Sequence, residues 1–293
     1  MSAARIVRDG AHLPPEVQGA AVTLGTFDGV HRGHRRVLEA ARAAHLRPAV
    51  VTFDPHPRAF FGQPVQLLST LERRLELLEA AGIEDVLVLH FDDALAALDP
   101  AVFAESMLRG IGGEVVAAGD GFRFGRERAG DLGLLEQLGF DVRRVPLVDN
   151  VSSSHVRKLL AVGDVALAAT LLGRPPEVEG IVVMGDQRGR LLGFPTANLE
   201  TPPELLVPAL GIYAGATLGH RTAISIGTNP HYHGTERRVE GHLLDFDGDL
   251  YGQRLVFELW QRLRDEAAYS SEAELIAAID HDVARTREAA RPV

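Results

Sequence analysis

The sequence predicts an α/β domain on a parallel sheet, then a small antiparallel β domain closing as a barrel or sandwich and ending in a helix. Three observations carry that prediction. In the first half, short β-rich runs alternate strictly with helical patterns, as in a parallel sheet covered on both faces. In the second half, strands follow one another with only turn punctuation between them, the pattern of a small closed β structure. Between the halves stands Gly173-Arg174-Pro175-Pro176. That cluster of breakers ends the alternation and sets the expected domains at 1–172 and 173–293.

Taken in order, the first-half strands are expected at Ala21 to Leu24, Ala49 to Phe53, Asp85 to His90, Glu114 to Ala118 and Asp141 to Val145, each a run rich in β-branched or small apolar residues. The intervening helices have readable ends. Ser69 and Glu72 have the spacing of a capping box before Leu71, Leu75 and Leu78, and Gly82 suits the stop. Asp99 followed by Pro100 starts another helix with Phe103 and Met107 on one face. Two more helices are expected at Ser153 to Ala161 and Asp164 to Leu172. In the second half the strands are expected at Val178 to Met184, Ile212 to Leu218, Thr222 to Ile226, Arg238 to Leu244 and Leu255 to Leu263. Asp247-Gly248 would supply a hairpin turn between the last two. A final helix starts near Ser271, capped by Glu274, and runs to about Arg285.

Composition narrows the chemistry. There are 293 residues, 46% of them hydrophobic and 24% charged, enough for two ordinary cores. No stretch resembles a secretory signal or a membrane span, so a soluble cytoplasmic protein is expected. With no cysteine, thiolate chemistry and disulfides are excluded. A net charge of −10 argues against nucleic acid as a partner, because backbone affinity comes from clustered Lys and Arg. Lys158 is the only lysine and follows no glycine-rich loop, so a lysine-based phosphate loop is excluded.

The first main strand runs into Gly25-Thr26-Phe27-Asp28-Gly29-Val30-His31-Arg32-Gly33-His34, and a helix follows. Ligands of open α/β sheets bind at such strand-to-helix turns. Gly25, Gly29 and Gly33 let the backbone approach a phosphate chain, while His31 and His34, three apart at a helix N-terminus, share a face. Two imidazoles there can donate to charge growing on a phosphoryl group in adenylyl transfer. A lone histidine is ordinarily a surface or core-edge residue; the grouping with glycines after the first strand sets this pair apart.

The second half opens with Gly185-Asp186-Gln187-Arg188-Gly189-Arg190-Leu191-Leu192-Gly193-Phe194-Pro195-Thr196-Ala197-Asn198. Gly185, Gly189 and Gly193 permit a loop whose backbone N–H groups face phosphates. Pro195 stiffens the turn, and Thr196 and Asn198 offer oxygen ligands of the kind Mg²⁺ takes alongside water and nucleotide phosphates. An ordinary glycine-rich hairpin with a polar corner would use the same residues, and spacing alone does not choose between them.

The first motif resembles the HxGH signature of the nucleotidyltransferase superfamily, and the whole chain resembles the bacterial bifunctional riboflavin kinase/FMN adenylyltransferase (FAD synthetase) family. Thr52-Phe53-Asp54-Pro55-His56-Pro57 is similar to that family's second signature. Ser152, Ser153, Ser154 and Arg157 are similar to its serine-rich late motif, with Ser154 where threonine is common. GRxLGFPTAN resembles the riboflavin kinase signature, and Arg237 to Phe246 the strand that holds the family's catalytic glutamate, here Glu240. The resemblance implies a Rossmann-like N-terminal fold, a riboflavin kinase-like C-terminal barrel, the substrates riboflavin, FMN and ATP, and Mg²⁺. It implies catalytic roles for His31, His34 and Glu240, and metal ligation by Thr196 and Asn198. It also implies nucleotide or flavin contacts from Gly25, Phe27, Asp28, Gly33, Ser152, Ser153, Ser154, Arg157, Gly185, Gly189, Arg190, Gly193, Pro195 and Asn229.

Two departures stand out. In Gly119-Asp120-Gly121-Phe122-Arg123-Phe124-Gly125 the family usually carries Asn or Asp where Gly121 stands, and Asp120 lies one position early. The segment is not a GxGxxG fingerprint and gives no dinucleotide-binding reading. In Gly227-Thr228-Asn229-Pro230-His231-Tyr232-His233-Gly234 the usual Thr-Phe is His231-Tyr232. Gly121 leaves open a kinase whose first domain binds nucleotide or flavin without turnover. A flavin-responsive regulator with neither activity is the remaining reading, against which intact His31, His34, Thr196, Asn198 and Glu240 speak.

Overall fold

A computed structural model describes residues 4–8, 19–185, 189, 192–228 and 237–293. Its contacts divide the chain into two compact units, Met1–Val65 with Leu71–Val151, and Gln66–Thr70 with Ser152–Val293.

The first unit holds strands β1 (Arg5–Arg8), β2 (Ala20–Leu24), β3 (Arg47–Asp54), β4 (Asp85–His90), β5 (Gly113–Gly119) and β6 (Asp141–Val145). They form one sheet in the order β1-β4-β3-β2-β5-β6, with every neighbouring pair parallel. The five expected strands are all present. The near-continuous apolar runs of β2 to β5 reflect burial on both faces: all five residues of β2 are buried. Alternate residues point to opposite sides. Ala20, Val22 and Leu24 pack with Phe103, Leu108 and Leu135, whereas Val50, Val86 and Val88 pack with Leu38, Leu75 and Leu78.

Helices α1 (Arg32–Arg42), α2 (Pro57–Phe60), α3 (Leu71–Ala80), α4 (Asp93–Ala96), α5 (Pro100–Phe103) and α6 (Leu132–Gln137) connect the strands. The start signal at Asp99 is real: its carboxylate accepts from the Ala101 N–H at 2.9 Å. Helix α3 begins one residue later than a Ser69 cap would place it. Thr70 immediately precedes it, and the Thr70 hydroxyl donates to Glu179 at 2.8 Å. Strand β1 escaped the sequence reading because four residues with arginine at both ends show no β alternation. It is held at the sheet edge partly through Arg5, which pairs with buried Asp85 at 2.7 Å.

The second unit begins with α7 (Ser153–Ala161) and α8 (Val165–Leu172) and continues with β7 (Glu177–Val183), β8 (Ala197–Glu200), β9 (Gly211–Thr217), β10 (His220–Thr228), β11 (Arg237–Leu243), β12 (Arg254–Arg264) and the terminal helix α9 (Glu272–Glu288). The strands close into a barrel, β10-β11-β8-β7-β12-β9, antiparallel throughout. Closure leaves no free edge. Gly173, at φ +71°, ends α8 in a left-handed cap, which is why the helical pattern breaks there. Ser271 caps α9 by accepting from the Glu274 N–H at 3.2 Å.

Two expectations are corrected. Asp247-Gly248 is not a hairpin turn: β11 pairs with β10 and β8, and β12 with β7 and β9. The residues between β11 and β12 form a long loop instead. And Ala197–Glu200, which is absent from the expected strands, is strand β8, built by pairing with β7 and β11 rather than by local propensity.

Candidate active sites

In the first unit the strand order reverses beside β2, whose neighbours are β3 and β5. Open α/β sheets bind ligands at the C-terminal ends of the strands flanking such a switch point. The glycine- and histidine-bearing loop follows β2, the Thr52-to-Pro57 segment ends β3, and the Gly119-to-Gly125 segment leaves β5. Chain order thus delivers three of the four motifs singled out for this domain to one edge.

The loop is tight. Phe27, Gly29 and Val30 all have positive φ, at +49°, +77° and +38°, and Phe27, Asp28 and Val30 are buried. His31 caps α1: its Nδ1 accepts from the His34 N–H at 3.2 Å. With Nδ1 accepting, Nε2 is the nitrogen of His31 left to donate. The two imidazoles stack, with centroids 3.6 Å apart and 12° between planes. A Cβ on Gly33 would stand 3.2 Å from the His31 ring, so the glycine between the histidines is what lets them stack. His34 leans on Phe27 at 5.1 Å. Desolvation, then repulsion from His31 and Arg74, holds the His34 imidazole well below its ordinary pKa. It is a neutral group near pH 7.

Beneath this loop lies a residue that sequence reasoning missed. Arg74 of α3 is 1% exposed and donates from one nitrogen to the Thr26 carbonyl (3.0 Å), the Thr52 hydroxyl (3.2 Å) and the Phe53 carbonyl (3.0 Å). Burial lowers its pKa, opposed by Asp28 and Asp54. The guanidinium therefore ties the loop after β2 to the end of β3. Its signal was periodicity: Leu71, Arg74, Leu75 and Leu78 fall on one helical face. Also missed was an aromatic group at the same sheet edge, where Phe91 meets Phe53, Phe60 and Phe61 edge-on at 5.5, 5.4 and 5.8 Å. Phe61 is 61% exposed.

His56 caps α2 by accepting from the Arg58 N–H. Gly121 is exposed, with nothing within 4 Å of where a Cβ would stand. Ser152, Ser153, Ser154 and Arg157 belong to the second unit. There the Ser152 hydroxyl caps α7 by accepting from the His155 N–H at 3.1 Å, and Arg157 Nε donates to the Gln66 carbonyl at 2.6 Å.

In the barrel, β-register brings Asn198 of β8 directly opposite Glu240 of β11, and the Thr196 hydroxyl donates to Glu240 Oε2 at 3.1 Å. Three expected residues thus converge. Arg238, two residues before Glu240 and so on the same face, pairs with Glu240 Oε1 at 2.6 Å. It also donates to Asn198 Oδ1 at 3.0 and 2.8 Å. Beside them is a cavity of about 500 Å³ lined by Gly185, Pro195, Thr196, Asn198, Asp247 and Tyr251, among others. The long loop after β11 forms its far wall. Sequence reasoning took that loop for a turn and so missed Asp247 and Tyr251.

These residues fit a magnesium ion. Asn198 and Thr196 present oxygen atoms next to a carboxylate at a cavity edge, and a Cβ on Gly185 would fall 2.5 Å from the Asn198 amide, so the glycine keeps room for it. Among the described residues no group of three or more His, Cys, Asp or Glu could hold a metal. Gly189, Gly193 and Pro195 lie in the same loop region; Arg190, Asn229, His231 and His233 lie outside the described residues.

A histidine pair at the switch point of a parallel sheet and an oxygen-donor set beside a barrel cavity give the chain two candidate sites suited to phosphorus-containing groups. Known proteins agree. A family model described as FAD synthetase matches residues 13–157, and one described as riboflavin kinase matches residues 172–290. The bifunctional riboflavin kinase/FMN adenylyltransferase of Pseudomonas fluorescens is 37% identical, with 98% of each chain covered. Those of Escherichia coli K12 and Bacillus subtilis are 37% and 33% identical, each over 92% of this chain and 93% of the relative. The chain belongs to the bifunctional riboflavin kinase/FMN adenylyltransferase family. A crystal structure described as a macrolide-efflux protein of Streptococcus pneumoniae superposes with TM-score 0.87 at 28% identity, covering 97% of this chain and 99% of that one. Among the described residues no helix is long and apolar enough to cross a membrane.

Proposed function

We propose that the chain makes both flavin coenzymes in sequence: riboflavin and ATP give FMN in the barrel, and FMN and ATP give FAD and pyrophosphate at the switch point of the sheet. The observation that carries the first step is the convergence of Thr196, Asn198 and Glu240 across β8 and β11. Glu240 accepts the proton of the ribityl 5′-hydroxyl as its oxygen bonds to the γ-phosphorus and ADP departs. General-base help of this kind is worth about 10²- to 10⁴-fold, and the rest is positioning. Asn198 and the Thr196 oxygen hold Mg²⁺, which when bound neutralises phosphate charge. Gly185, Gly189 and Gly193 contribute backbone contacts to the phosphates.

In the second step an FMN phosphate oxygen attacks the α-phosphorus of ATP and pyrophosphate leaves. His31 donates from Nε2 and the neutral His34 from its own N–H toward the growing charge. Backbone groups at Gly25, Phe27, Asp28 and Gly33 line the nucleotide's path. Phe61 offers a face to the isoalloxazine ring. The enzyme works in the cytoplasm, and residues 1–172 and 173–293 are its two domains by sequence punctuation.

The test is to incubate the purified chain with ATP, Mg²⁺ and either riboflavin or FMN, and to resolve the flavins chromatographically. Wild type converts riboflavin to FMN and FAD. Glu240→Gln makes FAD only when given FMN, and His31→Ala stops at FMN. Near-normal phosphorylation by Glu240→Gln would overturn the assignment of the base.

A further inference from the structure

Arg238 has no place in the chemistry described so far, yet it holds two of the residues assigned to the phosphorylation step. Its guanidinium meets Glu240 Oε1 at 2.6 Å and Asn198 Oδ1 through two nitrogens, at 3.0 and 2.8 Å. Those atoms belong to the base and to the metal ligand. A guanidinium and a divalent ion crowded onto one amide oxygen repel each other, while a guanidinium has only donors to offer and is well suited to phosphate. The site also lacks any lysine: Lys158 of α7 is the only one in the chain. Arg238 is about one quarter exposed, as is Glu240, so its head group is not sealed in the core, and it reaches Asn198, which lines the cavity.

We infer that Arg238 is the resting counter-ion of Asn198 and Glu240, displaced when metal and nucleotide enter, and that it then donates to the nucleotide's phosphates. In the ligand-free chain it keeps the amide oxygen and the carboxylate oriented and charge-balanced. With nucleotide bound it supplies the positive charge that a phosphate-loop lysine gives other kinases. This rests on the reading of Thr196 and Asn198 as the metal site.

The prediction is separable by binding alone. ADP is titrated calorimetrically into the full-length chain, once with EDTA and once with saturating Mg²⁺, following the component that a His31→Ala substitution leaves intact. Because Arg238 meets the phosphates, Arg238→Gln weakens ADP binding in EDTA by about tenfold, the size of one charge-assisted hydrogen bond. Because the same change frees Asn198 for the ion, the loss with Mg²⁺ is smaller, about two- to threefold. The dependence of ADP affinity on Mg²⁺ therefore steepens. Arg238→Lys recovers most of the EDTA binding, and unchanged thermal melting of both variants confirms an intact barrel. Equal losses in the two conditions, or none in either, would overturn the inference, since a merely structural arginine does not distinguish them. If wild-type ADP affinity ignored Mg²⁺, or if Asn198→Ala left it unchanged, the metal reading itself would fail and this inference with it.

Discussion

His34 shows how one side chain's surroundings set both its chemistry and the pH response of the fold. Burial, His31 and Arg74 all disfavour its charged form. Above its unfolded pKa of about 6.5 both states are neutral and the group contributes no pH dependence. As pH falls below that value, the unfolded chain takes up a proton that folded His34 refuses, so stability drops. We expect the melting temperature of the first unit to fall between pH 7 and pH 5, and to fall less in His34→Gln, by calorimetric scans across that range. An equal slope in both proteins would mean that other groups carry it. Gly121 is the opposite case, a residue defined by what is missing. Space is open around it and its φ is not positive, so Gly121→Asn adds an amide without strain. We expect stability to stay within about 0.5 kcal/mol, as for an exposed site, and FAD formation from FMN to rise several-fold in a coupled chromatographic assay.

At the scale of elements, legibility followed burial. Strands β2 to β5 could be read because they are packed on both sides and so are apolar almost throughout, whereas β6 at the sheet edge, Asp-Val-Arg-Arg-Val, is largely exposed. Strands β1 and β8 could not be read, since four residues such as Ala197-Asn198-Leu199-Glu200 become a strand only when β7 and β11 present their edges. The sites divide in the same way. His31 and His34, or Thr196 and Asn198, are close in sequence and visible there. Arg238 and Asn198 meet only through cross-strand register, and Arg74 reaches the β2 loop only because α3 packs under it. In α3 a charged residue on the apolar stripe was the sole hint. Replacing Arg74 with Met would remove its hydrogen bonds to the Thr26 and Phe53 carbonyls and its charge from beside Asp28 and Asp54. We expect a loss of about 3 kcal/mol from the first unit, as when a buried ionic partner is removed. FAD formation should fall sharply while riboflavin phosphorylation persists. Loss of both activities together would argue against a role confined to this loop.

For the whole molecule, the informative segment is the one where sequence punctuation and packing point to different joints. Gly173 ends α8 in a left-handed turn, and the riboflavin kinase model begins at residue 172, yet α7 and α8 group by contact with the barrel. The reason lies in named contacts. The Ala209 N–H donates to the Leu160 carbonyl at 2.9 Å, α8 packs along β12, and Gly163 lies so close to Arg262 that a Cβ there would stand 2.7 Å from it. Val165, Ala168, Ala169, Leu171 and Leu172 of α8 are all buried. A polypeptide starting at Gly173 keeps every barrel strand but uncovers the surface on which these residues rest. At roughly 25 cal/mol per Å² of apolar area, uncovering even 200 Å² costs about 5 kcal/mol, a large share of the stability of so small a domain. We therefore expect residues 152–293 to fold as a riboflavin kinase that melts well above residues 173–293, with the shorter piece prone to aggregate. Equal melting temperatures would make α7 and α8 part of the adenylyltransferase in energy as well as in sequence.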